Sequence, residues 1–159
     1  MTTTRLATFS VGDMLLGIAV DRVQEVLRGP TVTPVPLAPP GLVGLINLRG
    51  QILTVVDVRT PLGLPGACDL DGATHCVVRG RAGAVSLVVD RAHDVVELDP
   101  ASVTEVPSTV LAAVRAHVTG VQARTDGLLL VVDLNRLLDT SYDQDEEATK
   151  VSVHAGVGD

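Results

Sequence analysis

The feature that most constrains the fold of this chain is an internal repeat. The segment GIAVDRVQEVL at residues 17–27 matches SLVVDRAHDVV at residues 86–96. Further on, LVGLINLRGQILTVVDVRTPL at residues 42–62 matches VTGVQARTDGLLLVVDLNRLL at residues 118–138. Two matches in the same order predict two similar units of roughly 70 residues each. Units of that size bury their apolar faces poorly alone, so we expect them to pack against each other.

The composition predicts a mainly β fold with an aliphatic core. Hydrophobic residues make up 46% of the chain but aromatic residues only 1%, and the many valines favour strands. Short apolar runs with frequent turn residues favour small barrels over a βαβ sheet. Residues 20–28 fit either a helical turn or a bent strand, and the five prolines of residues 29–40 predict a connecting loop. The predicted strands are 6–11, 14–20, 41–47, 52–58, 75–79, 84–89, 118–123 and 128–134, with short helices at 108–117 and 135–139.

Charge and targeting signals exclude several classes of protein. The net charge is −7, of which residues 140–159 contribute −4 through five acidic residues and one lysine. This acidic composition predicts a disordered tail, and a chain whose remaining charge of −3 is close to neutral is not expected to bind nucleic acid. Two cysteines could close a small loop, but a reduced chain fits better. With no signal peptide and no apolar run of membrane-spanning length, we expect a cytoplasmic protein without direct membrane insertion.

No catalytic or metal-binding motif is present. The sequence lacks phosphate-binding, dinucleotide-binding, zinc-protease and serine-hydrolase patterns. His75 and Cys76 are neighbours, but adjacent strand residues point to opposite faces, which argues against one shared metal. We therefore predict no catalytic residues, no metal and no cofactor.

Two sets of repeated polar and small residues have structural interpretations. Four aspartates follow valines at equivalent repeat positions and could form two carboxylate pairs for acid–base chemistry. Their duplication instead favours aspartates that accept hydrogen bonds from nearby backbone N–H groups at strand ends. Gly44 and Gly120 are also equivalent and predict a bulge, a corner or a close backbone approach, although Gly44 could alternatively leave room for a partner's side chain. The aspartates are Asp21, Asp57, Asp90 and Asp133.

The stretch GLVGLINLRG at residues 41–50 carries two polar residues in an otherwise apolar strand. The second copy has Ala123 and Thr125 where this stretch has Asn47 and Arg49. A requirement of the fold should occur in both copies, so this difference indicates a functional feature of the first copy.

Three segments resemble the signature segments of CheW, the chemotaxis coupling protein: VQEV at 23–26, GLINLRG at 44–50 and VVDVR at 55–59. The resemblance extends from about Leu6 to Asp139. It implies two SH3-like five-stranded β-barrel subdomains packed about a common aliphatic core, with a few short helices. Within a single domain at 1–139, it implies subdomains at about 14–72 and 73–135, with the terminal segments completing the barrels.

The resemblance also implies a function and partners. It implies a non-enzymatic adaptor that couples the cytoplasmic tips of methyl-accepting chemoreceptors to the regulatory domain of a CheA-type histidine kinase, recruited to membrane-associated receptor arrays. Other CheW-like domains are expected as further partners.

Site residues follow from the same resemblance. Arg49 matches the family's arginine near the receptor groove, and Glu25 matches an acidic residue that can hold it, either as a purely structural bridge or as a pair that a receptor group competes for. The residues expected at the receptor groove are Val23, Glu25, Gly44, Ile46, Asn47, Arg49, His75 and Cys76. Those expected at the kinase are Ala7, Val20 and Val23, and those at a second array contact are Thr109 and Val110.

Two other hypotheses compete with the adaptor. The first is a CheW-like scaffold that serves another signalling or motility system, or that self-assembles. The second is a small-ligand-binding barrel with a pocket between subdomains. A ligand binder should place convergent polar groups in a closed pocket, whereas a docking adaptor should expose aliphatic residues around an open groove.

Overall fold

Strands dominate the architecture, which confirms the predicted mainly β class. The computed structural model describes residues 4–139. Its helical parts are short: 3-10 turns at Val20–Arg22 and Pro100–Ser102, a one-turn helix at Ala112–Arg115, and helical residues 134–139. None of the described helices is both long and apolar enough to cross a membrane. The strands are β1 (Thr4–Val11), β2 (Met14–Ala19), β3 (Val23–Arg28), β4 (Leu42–Leu48), β5 (Gln51–Asp57), β6 (Thr74–Gly80), β7 (Gly83–Val89), β8 (Arg91–Leu98), β9 (Val118–Arg124) and β10 (Gly127–Val132).

The local predictions were correct for most strands and wrong in two places. Residues 20–28 combine both expected conformations, a 3-10 turn followed by β3. Strand β8 was not predicted, because its side chains are mostly exposed and give no apolar alternation. The helix predicted at 108–117 is confined to Ala112–Arg115, since the residues before it form a turn in which Val110 N–H donates to the Pro107 carbonyl. The predicted tail at 140–159 lies outside the described residues.

The ten described strands form two five-stranded sheets. The terminal sheet has the order β8-β1-β2-β10-β9, and the central sheet has the order β3-β6-β7-β5-β4. The repeat makes β1 to β5 equivalent to β6 to β10, taken in chain order. When each strand of the terminal sheet is replaced by its equivalent in the other copy, the result is the strand order of the central sheet. Each sheet therefore takes two strands from one copy of the repeat and three from the other. Parallel pairs, β2 with β10 and β5 with β7, join the copies.

This exchange corrects the expected subdomain boundaries. A division near residue 72 would separate β6 and β7 from the sheet that contains β3, β4 and β5, but the hairpin β6–β7 pairs with β3 on one side and β5 on the other. Residues 23–89 therefore supply the central sheet. Residues 4–19 and 91–132 supply the terminal sheet.

Three apolar clusters hold the sheets together. The shared core joins both sheets and includes Phe9 and Leu16 from the terminal sheet with Cys76 and Leu87 from the central sheet. The other face of the central sheet has its own cluster of eight buried residues, whereas the other face of the terminal sheet has three, Leu6, Leu98 and Leu129. The expected common aliphatic core is present, and both cysteines are free and buried.

Gly44 and Gly120 allow a close backbone approach, as predicted. At each glycine a crossing segment pairs with the edge strand: Thr33 bonds to Leu45, and Thr104 bonds to Val121. A Cβ on Gly44 would overlap the Thr33 carbonyl, and one on Gly120 would lie 2.9 Å from the Thr104 carbonyl oxygen. The chain's own backbone fills the space at Gly44, so the alternative of a partner's side chain there is wrong.

Three of the four repeated aspartates accept backbone hydrogen bonds. The carboxylate of Asp57 accepts from the N–H groups of Arg59 and Cys68, at 2.9 and 3.0 Å. Asp90 accepts from Gly12 N–H at 2.6 Å, and Asp133 from Arg136 N–H at 3.2 Å. These bonds confirm the structural interpretation for the three residues.

Candidate functional site

The tip of the β4–β5 hairpin places an arginine in an unusual backbone conformation. Arg49 and Gly50 form a two-residue loop between Leu48 and Gln51, with φ angles of 52° and 87°. Positive φ at both positions is the geometry of a type I′ turn, in which Asn, Asp or Gly is preferred at the first position. A long side chain adopts this region rarely. Turn formation therefore does not explain why an arginine occupies residue 49.

Glu25 holds the Arg49 side chain through a two-pronged ion pair. Arg49 Nη1 donates to Glu25 Oε2 at 3.3 Å, and Nη2 donates to Oε1. The pair joins β3 to the tip of β4, the two edge strands of the central sheet, so it links the edges of that sheet. The Glu25 carboxylate raises the pKa of Arg49 by its hydrogen bonds and then by its charge. With 69% of its side chain exposed, Arg49 remains open to a second partner.

Asn47 and Ile52 complete an exposed patch at this tip. Asn47 Oδ1 accepts a hydrogen bond from Gly50 N–H at 2.9 Å, which supports the turn. Ile52 lies directly opposite Asn47 across the hairpin and is 60% exposed. We call Glu25, Asn47, Arg49 and Ile52 the hairpin surface. Sequence analysis missed Ile52, because β5 is apolar at most positions and its pattern does not mark which apolar residue faces out.

Within residues 4–139, the terminal sheet has no counterpart of this ion pair. By the repeat, its equivalents of Glu25 and Arg49 are Asp94 and Thr125, and threonine cannot form such a pair. A cleft of about 420 Å³ lies at this end of the sheet, lined by His93, Asp94, Arg124 and Asp126 among others. None of the predicted site residues lines it.

Four residues predicted at the receptor groove do not present side chains to the surface. Ile46 is 1% exposed and belongs to the cluster on the outer face of the central sheet. His75 and Cys76 are fully buried, because β6 lies between β3 and β7 and both of its faces are covered. Gly44 is buried under the crossing segment. The expectation that these four contact a partner is corrected accordingly, whereas Glu25, Asn47 and Arg49 are accessible and Val23 is half-buried.

The buried His75 has one hydrogen bond where it could have two. Its Nδ1 lies 2.9 Å from Ser86 Oγ, and its Nε2 is buried without a partner among the described residues. Burial lowers the pKa of His75, so the ring is neutral near pH 7. Burial likewise raises the pKa of the Cys76 thiol to about 12. Both residues act as core residues in this conformation.

The residues predicted at the kinase and at the second array contact are partly accessible. Ala7, Val20 and Val23 are half-buried, and Ala7 and Val23 pack against the shared core. Strand β1 contacts the 3-10 turn that begins at Val20, which places these residues in one region. Thr109 is exposed, and Val110 is half-buried against the shared core.

A polar cluster ties the two sheets together away from the hairpin surface. Arg59 Nη2 donates to Asp90 Oδ2 at 2.9 Å, and the Cys68 thiol lies 3.3 Å from Asp57 Oδ1. Burial raises the pKa of Cys68 to about 12, and the nearby Asp57 carboxylate adds to the effect. Among residues 4–139, no group of three or more His, Cys, Asp and Glu side chains is arranged to hold a metal ion.

Comparisons with known proteins agree with this fold. Residues 5–141 match the model of the CheW-like domain family. The chain is 27% identical to chemotaxis protein CheW of Bacillus subtilis over 88% of this chain and 90% of the relative, and 28% identical to chemotaxis protein CheW of Klebsiella aerogenes over 82% and 78%. The crystal structure of scaffolding protein TtCheW from Thermoanaerobacter tengcongensis matches with a TM-score of 0.74 and 28% identity, over 86% of this chain and 92% of that chain. The chain therefore belongs to the CheW-like domain family, as its signature segments predicted.

Proposed function

We propose that this protein is a non-enzymatic adaptor that couples chemoreceptor signalling tips to a CheA-type histidine kinase. Membership of the CheW-like family supports a scaffold role in chemotaxis. The single observation that carries the receptor side of the proposal is the accessible Arg49–Glu25 pair at a strained hairpin tip. Backbone strain at a surface residue is typical of functional sites.

The receptor docks on the hairpin surface in this proposal. The Arg49 guanidinium is charged at all physiological pH values. It can give up its hydrogen bond to one oxygen of Glu25 and donate instead to a receptor carboxylate or carbonyl. The exposed Ile52 beside it supplies apolar area that a receptor helix can cover. Glu25 then keeps the guanidinium oriented before the receptor arrives, which reduces the entropy cost of binding.

The kinase docks on the region of Ala7, Val20 and Val23. These residues are aliphatic, and the buried centre of a protein interface is more apolar than its rim. The second array contact at Thr109 and Val110 lacks an aromatic anchor, and aromatic anchors often dominate interface energy. We therefore expect this contact to be weaker than the kinase contact. Binding to receptors and kinase would recruit the protein to membrane-associated arrays.

The test measures binding of two partners to matched variants. We expect wild type to bind both the CheA regulatory domain and a receptor signalling fragment in calorimetry or pulldown. Arg49→Glu reverses the charge beside Glu25 and should weaken receptor binding by about tenfold or more while kinase binding is kept. Val20→Asp should do the opposite, since it places a charge in an apolar contact.

Arg124→Glu is the matched control, because Arg124 lies beside the corresponding hairpin of the terminal sheet and makes the same charge change. Equal loss of receptor binding in Arg49→Glu and Arg124→Glu would show a general charge effect and overturn the docking site. If wild type bound neither partner, the adaptor proposal would give way to a scaffold that serves another system or assembles with itself.

A further inference from the structure

Two arginines beside the end of β6 bond only to uncharged oxygens. Arg22 donates from Nε and Nη2 to the Arg79 carbonyl at 3.1 and 2.8 Å, and from Nη2 to Asn135 Oδ1 at 3.0 Å. Arg79 in turn donates from Nη1 to the Asp21 carbonyl at 3.0 Å. Neither guanidinium has a carboxylate partner among residues 4–139. The Asp21 carboxylate makes no hydrogen bond to either of them within this range.

Two further arginines surround the same place. Arg81 pairs with Asp139 at 3.4 Å and Arg136 pairs with Asp133 at 3.3 Å, and both arginine side chains are about two-thirds exposed, at 70% and 65%. We call Arg22, Arg79, Arg81 and Arg136 the arginine cluster. Arg22 and Arg81 contact the segment 133–139, Arg136 belongs to it, and Arg79 is joined to it through Arg22. From this segment the chain continues into its most acidic part.

The equivalent place in the other half of the repeat is neutralised internally. By the repeat, Arg59 is the equivalent of Asn135, which bonds to Arg22 beside the arginine cluster. Asp90 is likewise the equivalent of Asp21. Arg59 and Asp90 form an ion pair at 2.9 Å, with only 17% and 34% of their side chains exposed. One junction thus has an internal ion pair, whereas its counterpart has a guanidinium bonded to a neutral amide. Within the described range, the asymmetry leaves Arg22 and Arg79 without the kind of carboxylate partner that Arg59 has in Asp90.

We propose that the arginine cluster is a docking site for the chain's own acidic segment, Asp143 to Glu147. This segment carries four carboxylates within five residues, Asp143, Asp145, Glu146 and Glu147. It begins four residues beyond Asp139, which already pairs with Arg81 in the cluster, so an extended chain reaches about 14 Å at Asp143 and about 28 Å at Glu147. So short a tether gives an effective concentration of about millimolar or more. Guanidinium–carboxylate pairs then form without new apolar contact.

Docking of this segment has a consequence for partner binding that rests on the proposed function. Arg22 lies between Val20 and Val23, which belong to the proposed kinase surface. A segment docked on Arg22 covers part of that surface and competes with the kinase. The acidic segment therefore lowers apparent kinase affinity by the fraction of molecules in which it is docked.

Paramagnetic relaxation enhancement tests the docking itself, without any partner. A spin label is attached to Ala148→Cys in the full chain. Cys68 and Cys76 are buried and have pKa values of about 12, so they react slowly and the label attaches at the introduced cysteine. We expect enhanced relaxation of the amides of residues 21–23 and 79–81 that falls by more than half in about 1 M NaCl, where the Debye length is about 3 Å.

Charge variants decide whether the arginine cluster is responsible. Asp143→Asn, Asp145→Asn, Glu146→Gln and Glu147→Gln together should abolish the enhancement, and they leave the described fold untouched. Arg22→Gln with Arg79→Gln should reduce it, whereas the matched control Arg91→Gln with Arg124→Gln should not. Enhancement that is insensitive to salt and to the neutralised acidic segment would overturn the proposal.

A second arm separates this inference from the proposed function. If the segment is docked in about two-thirds of molecules, neutralising it should tighten binding to the CheA regulatory domain by about threefold. Salt-sensitive enhancement with unchanged kinase affinity would keep the docking and overturn the competition. If no form binds the kinase, the proposed function fails, and the relaxation data still decide the docking.

Discussion

The terminal and central sheets have the same strand order once equivalent strands of the repeat are matched. They differ in the side chains that pack between their first two repeat-equivalent strands, β1 and β2 in one sheet and β6 and β7 in the other. In the terminal sheet, Leu6 of β1 packs over Gly17 of β2, and a Cβ on Gly17 would lie 2.8 Å from Leu6 Cδ1. At the equivalent positions of the central sheet, His75 of β6 bonds to Ser86 of β7. An apolar pair and a polar pair therefore occupy the same place in two copies of one motif. The comparison teaches that one strand order accommodates two different interior pairs, and it leads to the expectation that one pair can replace the other.

The largest expected effect tests what the two sheets have in common. Gly44→Ala places a Cβ against the Thr33 backbone and should lower the free energy of unfolding by about 3 kcal/mol. Gly120→Ala should lower it by about 2 kcal/mol, since its nearest neighbour is the Val103 side chain, which can move. Urea unfolding measures both. Gly29→Ala measures the separate cost of a side chain at positive φ, because nothing lies within 4 Å of its Cβ position and its φ is 77°, whereas Gly44 and Gly120 are not at positive φ. A Gly44→Ala variant as stable as wild type would show that the close approach is not tight.

The next effect tests the difference between the interiors. Ser86→Ala removes the one hydrogen bond of His75 and should cost about 2 kcal/mol, because a buried polar group is left unsatisfied. His75→Leu with Ser86→Gly installs the terminal-sheet pair and should be within about 1 kcal/mol of wild type. Unfolding of His75→Leu, Ser86→Gly and the double variant completes the cycle. A double variant less stable than Ser86→Ala would mean that the two interiors are not interchangeable.

A pH effect follows from the same histidine. Burial lowers the pKa of His75 from its ordinary 6.5, so below that pH the unfolded chain binds a proton that the folded chain does not. Above about pH 6.5, His75 therefore has no effect on the pH dependence of the free energy of unfolding. As the pH falls below this value, His75 lowers that free energy by up to about 1.4 kcal/mol per pH unit.

The measurement is the difference in unfolding free energy between wild type and His75→Leu with Ser86→Gly, at pH 7 and pH 5.5. The double variant should lose less stability on acidification than wild type. His93→Gln serves as the control, because His93 is an exposed histidine of the terminal sheet. Identical pH profiles for wild type and the double variant would contradict the assignment to His75.

The smallest effect compares the two hairpin tips. Arg49→Asn relieves a positive φ that asparagine tolerates better, so the urea midpoint should rise slightly while receptor binding falls. Thr125→Asn at the corresponding tip should change neither, because Thr125 is not at positive φ. A lower midpoint for Arg49→Asn would mean that the link to Glu25 contributes more than the backbone strain costs.

Sequence patterns predicted the features that both copies share and missed those that depend on partners in space. The repeated glycines and three of the aspartates play the structural roles predicted, since both copies of the fold need the same close approaches and the same acceptors for backbone N–H groups. The burial of His75 and Cys76 was missed, because it depends on β3 and β7 lying on either side of β6. The repeat does not show whether a strand pairs with strands of its own copy or of the other copy. The accessible Arg49 was found because it breaks the repeat.

The exchange of strands between copies has a consequence for synthesis on the ribosome. The central sheet is complete once residue 89 has emerged, so it can fold while the rest of the chain is still being made. The terminal sheet cannot, since β2 must wait for β10, more than a hundred residues later, before their parallel pairing forms. During that interval the hairpin β1–β2 has an unpaired edge, and the apolar side chains that will form the shared core are exposed. The chain is therefore most prone to mispairing between nascent copies just before β10 emerges.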